Sequence, residues 1–382
     1  MTMHSFRAEL DRLEQGGLLR RRRTLEGPQG VRVQVDGKTC TSYCSNDYLG
    51  LANHPDLIEA ACLGARRFGV GTGASHLLCG HGSAHEAAEK ALAELVGLPA
   101  ALLFSTGYMA NIGAISVLAG RNDAIFCDRL NHASLNDAAL LSRAKLCRYP
   151  HLDMDALESF LAREGKRRKL VATDAVFSMD GDIAPVPQLL ELCEKYDAAL
   201  LLDDAHGFGV LGENGGGILA HFGVSSPRIV YVGTLGKAAG VAGAFVAGEA
   251  DMVQMLVQRA RSYVYTTAQP PMLAEALLAS LKLIGAESWR RERLRGLADH
   301  LKSHLKSALL PSDTPIQPFV VGENEACMAL SAGLQEEGLL VPAIRPPTVP
   351  KGSARLRISL SAAHTFDDLD RLIAALKNAS AC

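Results

Sequence analysis

Between residues 100 and 247 the chain repeats one pattern: a short apolar run, a polar break, then a stretch with helical spacing. The apolar runs are 100–104, 124–127, 170–173, 198–202, 230–232 and 244–247. Helices are predicted near 108–119, 134–142 and 187–196. Strands that are apolar throughout, rather than alternately apolar and polar, must be covered on both faces. Separated by helices, they predict a mostly parallel sheet with helices on both sides.

The flanks read differently. Phe6, Leu10 and Leu13 are spaced for a helix within 5–22, closed by Gly16-Gly17. Residues 31–44 alternate as a hairpin, with Asp36-Gly37 at the turn. An amphipathic helix is expected over 84–96, ending at Gly97. Helices over 250–262 and 272–284 are separated by Gln269-Pro270-Pro271, and a charged helix spans roughly 287–308 before Pro311 and Pro315. Beyond it the pattern turns to βαβ-like pieces: 316–321, a helix near 324–337, 339–341, 356–360 and a last helix near 366–378. The expected division is an N-terminal helix and hairpin (1–45), a large α/β domain (46–282) and a smaller C-terminal α+β domain (283–382).

Composition narrows the function. The 382 residues are 48% hydrophobic and 21% charged, with a net charge of −2 and interspersed signs. This excludes nucleic acid and membrane as expected partners. The one basic cluster, Arg20-Arg21-Arg22-Arg23, reads on charge alone as a solvated stretch. Nine scattered cysteines form no CxxC pair and no zinc spacing, as expected of reduced thiols. Charges near the start leave no signal-peptide core, and no apolar run reaches the length of a membrane span, so a cytoplasmic address is expected.

The polar outliers gather just after the apolar runs, where α/β sheets bind ligands. Lys237 stands in the small-residue loop Thr234-Leu235-Gly236-Lys237-Ala238-Ala239-Gly240. A lysine in such surroundings has its ammonium disfavoured, which suits a Schiff-base amine. Upstream, Asp203-Asp204-Ala205-His206 follows another apolar run. A lysine with an aspartate partner for a pyridinium nitrogen is the signature of a pyridoxal phosphate (PLP) site. On that reading Asp203 keeps the ring nitrogen protonated and His206 reaches the phenolic oxygen; a structural or metal-binding DxxH pair is the alternative. Ser105-Thr106-Gly107 opens a helix, as a phosphate cradle or simply a cap. His132 either stacks on a planar ring or caps the next helix. The acidic residues of 174–182 read as a polar turn more readily than as a metal loop, because their spacing matches no EF-hand.

Five segments then occur in order: Ser45-Asn46-Asp47-Tyr48-Leu49-Gly50, Gly71-Thr72-Gly73-Ala74-Ser75, Phe177-Ser178-Met179-Asp180-Gly181-Asp182, Asp203-Asp204-Ala205-His206-Gly207 and Thr234-Leu235-Gly236-Lys237. The set resembles the α-oxoamine synthase family of fold-type-I PLP enzymes, from about Arg20 to the last helix. The resemblance implies that Lys237 carries the cofactor, Asp203 pairs with its ring nitrogen, His132 stacks on the ring and His206 meets its phenolic oxygen. Gly107, Tyr108, Ser178 and Thr234 would complete the cofactor site. Arg357 would hold the amino-acid carboxylate, with Arg20, Asn46 and Thr348 on the substrate side. The segment Ala343-Ile344-Arg345-Pro346-Pro347-Thr348-Val349-Pro350 is similar to the branch that condenses L-alanine with a pimeloyl thioester, carried on coenzyme A or on acyl carrier protein. The alternative within the family takes glycine and acetyl-CoA. The resemblance also implies a homodimer with sites at the interface, in which Ser75 and Thr266-Thr267 serve the partner's cofactor. Tyr108 and Asp174 stand where relatives often carry Phe and Glu.

Overall fold

The computed structural model describes residues 4–16, 18–20, 22–165, 167–346 and 348–380. Gly17, Arg21, Pro347 and Cys382, which figure in the expectations above, lie outside the described residues. After a helix over His4–Gln15 comes the hairpin β1 (Arg32–Val35) and β2 (Lys38–Ser42). The large sheet is built from β3 (Ala100–Phe104), β4 (Ala124–Asp128), β5 (Lys145–Tyr149), β6 (Lys169–Asp174), β7 (Ala198–Asp203), β8 (Ile229–Thr234) and β9 (Ala244–Gly248). Their spatial order is β3-β9-β8-β7-β6-β4-β5. The five strands from β8 to β5 are mutually parallel; β9 runs antiparallel to both of its neighbours.

The predicted apolar runs become strands because each residue meets an apolar layer, whichever face it points to. In β4, Ala124 and Phe126 pack into one cluster while Ile125 and Cys127 pack into the other. β7 divides in the same way, Leu200 and Leu202 against Leu201, as does β8, with Tyr231 opposite Val230 and Val232. The helices over Gly107–Leu118, Ala133–Ser142 and Ala250–Arg259 cover one face. Those over Ser83–Val96, Met154–Arg163, Val186–Lys195 and Pro271–Ala286 cover the other. At ~25 cal/mol per Å², burial on two faces is what fixes this register.

Several features depart from the expectations. The helix over Pro55–Phe68, the strand β5 and the helix over Met154–Arg163 carried no prediction. The helix expected over 250–262 is broken at Ala260, giving Ala250–Arg259 and Arg261–Val264. The C-terminal pieces do not form βαβ units: β10 (Ile316–Gly322) and β12 (Ala343–Ile344) both flank β13 (Ala354–Ser359) antiparallel. The N-terminal hairpin does not stand alone, because β2 pairs in parallel with β11 (Leu339–Leu340). Tyr43 stacks on His364 with ring centroids 4.7 Å apart, and Arg32 forms an ion pair with Asp368. None of the eight described cysteines is bridged, and no described helix is long and apolar enough to cross a membrane.

The β8–β9 connection carries Lys237. It is a tight loop, closed by Leu235 N–H to Gly243 O at 2.9 Å and Gly240 N–H to Lys237 O at 2.9 Å. Gly240 has φ +66°, and a Cβ there would fall 2.6 Å from the backbone at Leu51 and Ala52. Gly240→Ala is therefore expected to destabilise the protein by about 2 kcal/mol or more. Chemical denaturation measures this; a midpoint equal to the parent's would contradict the close approach.

Candidate active site

With both faces of the sheet apolar, polar side chains collect past the strand ends. A cavity of about 210 Å³ lies there, lined among others by Gly107, His132, Asp203, His206, Thr234 and Lys237. Gly107 and Tyr108 open the helix after β3, capped by Thr106 Oγ1, which accepts the Met109 N–H at 3.2 Å. Their own N–H groups, at the first turn, have no intrahelical acceptor and face the cavity end of the helix. Tyr108 is partly exposed and its hydroxyl donates to Asp137.

His132 takes the capping role the sequence allowed. Its Nδ1 caps the next helix at the Ser134 N–H, 3.3 Å away, while the residue also lines the cavity. Asp174 accepts the His132 N–H at 2.6 Å. Burial first, then the nearby Asp203 charge, push the Asp174 carboxyl well above the usual range. Asp203, at the end of β7, is held by Ala205 N–H at 3.1 Å and by Asn111 Nδ2 at 2.6 Å. Asn111 also reaches Ser134 Oγ at 2.8 Å. The adjacent Asp204 points away from the cavity, accepting from Ile218 N–H and Tyr231 OH, and burial lifts it to about 7.

Lys237 Nζ lies 2.8 Å from His206 Nε2. Burial depresses the amine to about 8, against the pull of Asp203 and Asp174 in the other direction. Burial, then the charges of Lys237 and Arg357, keep His206 well below its ordinary value, so the imidazole is neutral. Lys237 donates to Nε2, which leaves the proton on Nδ1 facing Tyr48 OH at 2.6 Å. Tyr48 donates onward to Asn46 Oδ1 at 3.1 Å, and Arg357 Nη1 donates to the same oxygen at 3.1 Å. The structure thus joins Lys237, His206, Tyr48, Asn46 and Arg357 in one hydrogen-bonded row.

Arg357 is 5% exposed. It also donates to Ser178 O and, at 2.6 Å, to Ser359 Oγ. No carboxylate among the described residues forms an ion pair with it, whereas Arg355 two residues earlier pairs with Asp180. A buried guanidinium lacking a counter-ion is costly and calls for an anionic ligand.

Arg20 and Thr348 fall outside the cavity. They meet instead in a separate groove of about 660 Å³ with Leu10, Leu13, Leu18 and Ile344. Ser178 contributes its carbonyl to Arg357 rather than lining the cavity, and Thr234 lines it while bonding Gly243 O at 3.3 Å. Ser75 and Thr266-Thr267 are also away from it, on segments brought together by Ala268 N–H to Ala74 O at 2.9 Å. The acidic residues of 174–182 are dispersed, to His132, to Arg355 and to His151. Tyr48 and Asn111 carried no expected role. Both lay within or beside segments already singled out, but their partners are far along the chain.

The donor set tests well against the expected cofactor. A depressed amine, a buried carboxylate, a neutral imidazole and a helix N-terminus surround one small cavity, as a phosphorylated pyridine aldehyde would require.

The chain belongs to the class I and II aminotransferase family, whose profile matches residues 38–376. Within it, the chain is 62% identical over 363 residues to the 8-amino-7-oxononanoate synthase of Nitrosospira multiformis, covering 94% of this chain and 92% of that one. It is 61% identical to the enzyme of the same name from Nitrosomonas europaea, covering 97% of each. A serine palmitoyltransferase variant from S. paucimobilis, solved with a PLP–myriocin adduct bound, superposes with a TM-score of 0.92 at 30% identity, over 98% of this chain and 96% of that one.

A lysine depressed to about 8 has about a tenth of its amine free at pH 7, far more than an exposed lysine. Reductive methylation at Lys237, followed by peptide mass spectrometry, is expected to rise with pH and be half-maximal near 8. A midpoint above 10 would contradict the burial.

Proposed function

We propose that this chain binds PLP on Lys237 and condenses L-alanine with a pimeloyl thioester, releasing CO₂ and the free thiol and forming 8-amino-7-oxononanoate for biotin synthesis. The observation that carries the amino-acid half is Arg357, a buried guanidinium with no carboxylate partner among the described residues, in hydrogen-bonded series with Lys237. The acyl half is supported by the similarity to synthases of that name.

When bound, PLP supplies a conjugated ring that takes up the electron pair left at the substrate Cα. Asp203, fixed by Asn111 and Ala205 N–H, holds the proton on the ring nitrogen. His206, kept neutral, would present a ring nitrogen to the phenolic oxygen, and His132 would lie against the ring face. Gly107 and Tyr108 would offer their N–H groups to the phosphate, with Thr234 beside them and Ser178 on the turn that bonds Arg357. Arg357 and Asn46 orient the alanine carboxylate. Lys237 would take the Cα proton; its depressed pKa makes the amine a competent base near neutrality. Carbon–carbon bond formation at the thioester carbonyl expels the thiol, and loss of CO₂ from the β-keto acid leaves the amino ketone after Cα is reprotonated. Arg20 and Thr348 line a leucine-rich groove that suits the acyl chain and its carrier, coenzyme A or acyl carrier protein.

A homodimer belongs to the same reading. The segments carrying Ser75 and Thr266-Thr267 also expose Val70, Leu78 and Tyr265, at 76%, 82% and 72%. Their apolar exposure beside polar groups supports an interface there, through which Ser75 and Thr266-Thr267 would reach the partner's cofactor.

Thiol release measured with L-alanine and pimeloyl-CoA tests the reading. Stoichiometric thiol and CO₂ with alanine supports it; turnover confined to glycine and acetyl-CoA would replace it with the glycine-using alternative. Lys237→Ala should abolish turnover. Arg357→Ala should raise the alanine KM about 100-fold, the scale of a lost charge-assisted pair; an unchanged KM would remove Arg357 from the carboxylate site.

A further inference from the structure

His151 takes no part in the chemistry above, yet both of its ring nitrogens are committed. Nδ1 lies 3.0 Å from Asp128 Oδ1 and Nε2 lies 2.7 Å from Asp182 Oδ2. Ionised carboxylates only accept, so both nitrogens must carry protons and the ring is an imidazolium. Burial opposes that charge, but the two carboxylates outweigh it and lift His151 to about 10. Its ring edge rests on Phe177, with centroids 4.4 Å apart.

The two carboxylates belong to different parts of the site. Asp128 ends β4 and is fully buried; its oxygens also accept the Leu130 and Leu152 N–H groups, each at 2.8 Å. It therefore fixes the start of the loop that delivers His132 to the cavity. Asp182 closes the turn after β6, where Phe177 N–H bonds Asp182 O at 3.0 Å and Gly181 N–H bonds Phe177 O at 2.8 Å. That turn offers Ser178 O to Arg357 and the Asp180 carboxylate to Arg355. It also offers Gly181 O to Ser312 and Thr314, at 2.9 and 3.1 Å. The His132 loop and the Arg357 seat thus meet at the His151 ring, beyond the separate tie at which Asp174 accepts the His132 N–H.

We propose that His151 is a positioning residue, its doubly bonded ring tying the loop that carries His132 to the turn that seats Arg357. Its ring then helps to set the distance between the cofactor face and the substrate carboxylate. This rests on the alanine-and-thioester reading for its kinetic consequence, but not for its structural one.

Two variants separate the links. His151→Gln removes the charge and can satisfy only one carboxylate; Asp182→Asn leaves the Asp128 side intact. His151→Gln should accelerate amide exchange in both 129–132 and 177–182. It should also weaken PLP binding to the apoprotein about tenfold and raise the alanine KM about tenfold, with kcat within about threefold. Asp182→Asn should accelerate exchange only in 177–182 and raise the alanine KM without changing PLP affinity. His151→Arg, which restores two donors and the charge, should recover most of the loss. A fall in melting temperature with PLP affinity and alanine KM both unchanged would overturn the proposal. So would equal effects of Asp182→Asn on both loops. A parent enzyme that binds PLP but not alanine would overturn the functional reading alone, leaving the clamp to be judged by exchange and PLP affinity.

Discussion

A sheet that is apolar on both faces has nowhere to keep charged side chains except beyond the ends of its strands, and that constraint organises the whole molecule. Alternate residues of β4, β7 and β8 enter opposite hydrophobic layers, so no polar group can sit within the sheet without disrupting one of them. The chemistry is displaced to the carboxyl ends. There Asp174, Asp203 and the β8–β9 loop bring two carboxylates and an amine around one cavity.

Having gathered charges in a dry place, the structure must also neutralise them. It does so by sharing protons along a row rather than by simple ion pairs. Lys237 bonds a neutral histidine, the histidine a tyrosine, and the tyrosine an asparagine that also receives Arg357. The cations at the two ends are held apart by neutral groups, and each lowers the tendency of His206 to take a proton. Burial leaves the amine depressed, and no carboxylate among the described residues pairs with the guanidinium, which are the two conditions a carboxylate-bearing amine substrate relieves.

The sequence makes the large sheet legible because two-faced burial leaves uninterrupted apolar runs. Its failures have equally local causes. The edge strand β5, KLCRY, has one fully buried position, so no apolar run marks it. The helix over Pro55–Phe68 contains Gly64, an apparent breaker, which is needed where Met272 Cα would lie 2.9 Å from any Cβ. In the site, Lys237, Asp203 and His206 stand out because each follows an apolar run. Tyr48 and Asn111 do not, since their importance comes from partners 158 and 92 residues away. The separation of Arg20 and Thr348 from the cofactor cavity is likewise a matter of tertiary placement.

The pairing of β2 with β11 carries a consequence for how the chain is made. Thr41 and Ser42 take their strand partners from Leu339 and Leu340, and Tyr43 stacks on His364. The β1–β2 hairpin therefore lacks its β11 neighbour until about 300 further residues have followed it from the ribosome. The large sheet, whose strands lie within Ala100–Gly248, can assemble in the interval. Closing the remaining lobe is then a late, long-range event, slow for the entropy of joining distant segments. Until it closes, Asn46 and Tyr48, which follow β2 closely, have no fixed Arg357 to meet, so a segment synthesised late completes a site whose other residues were made long before it.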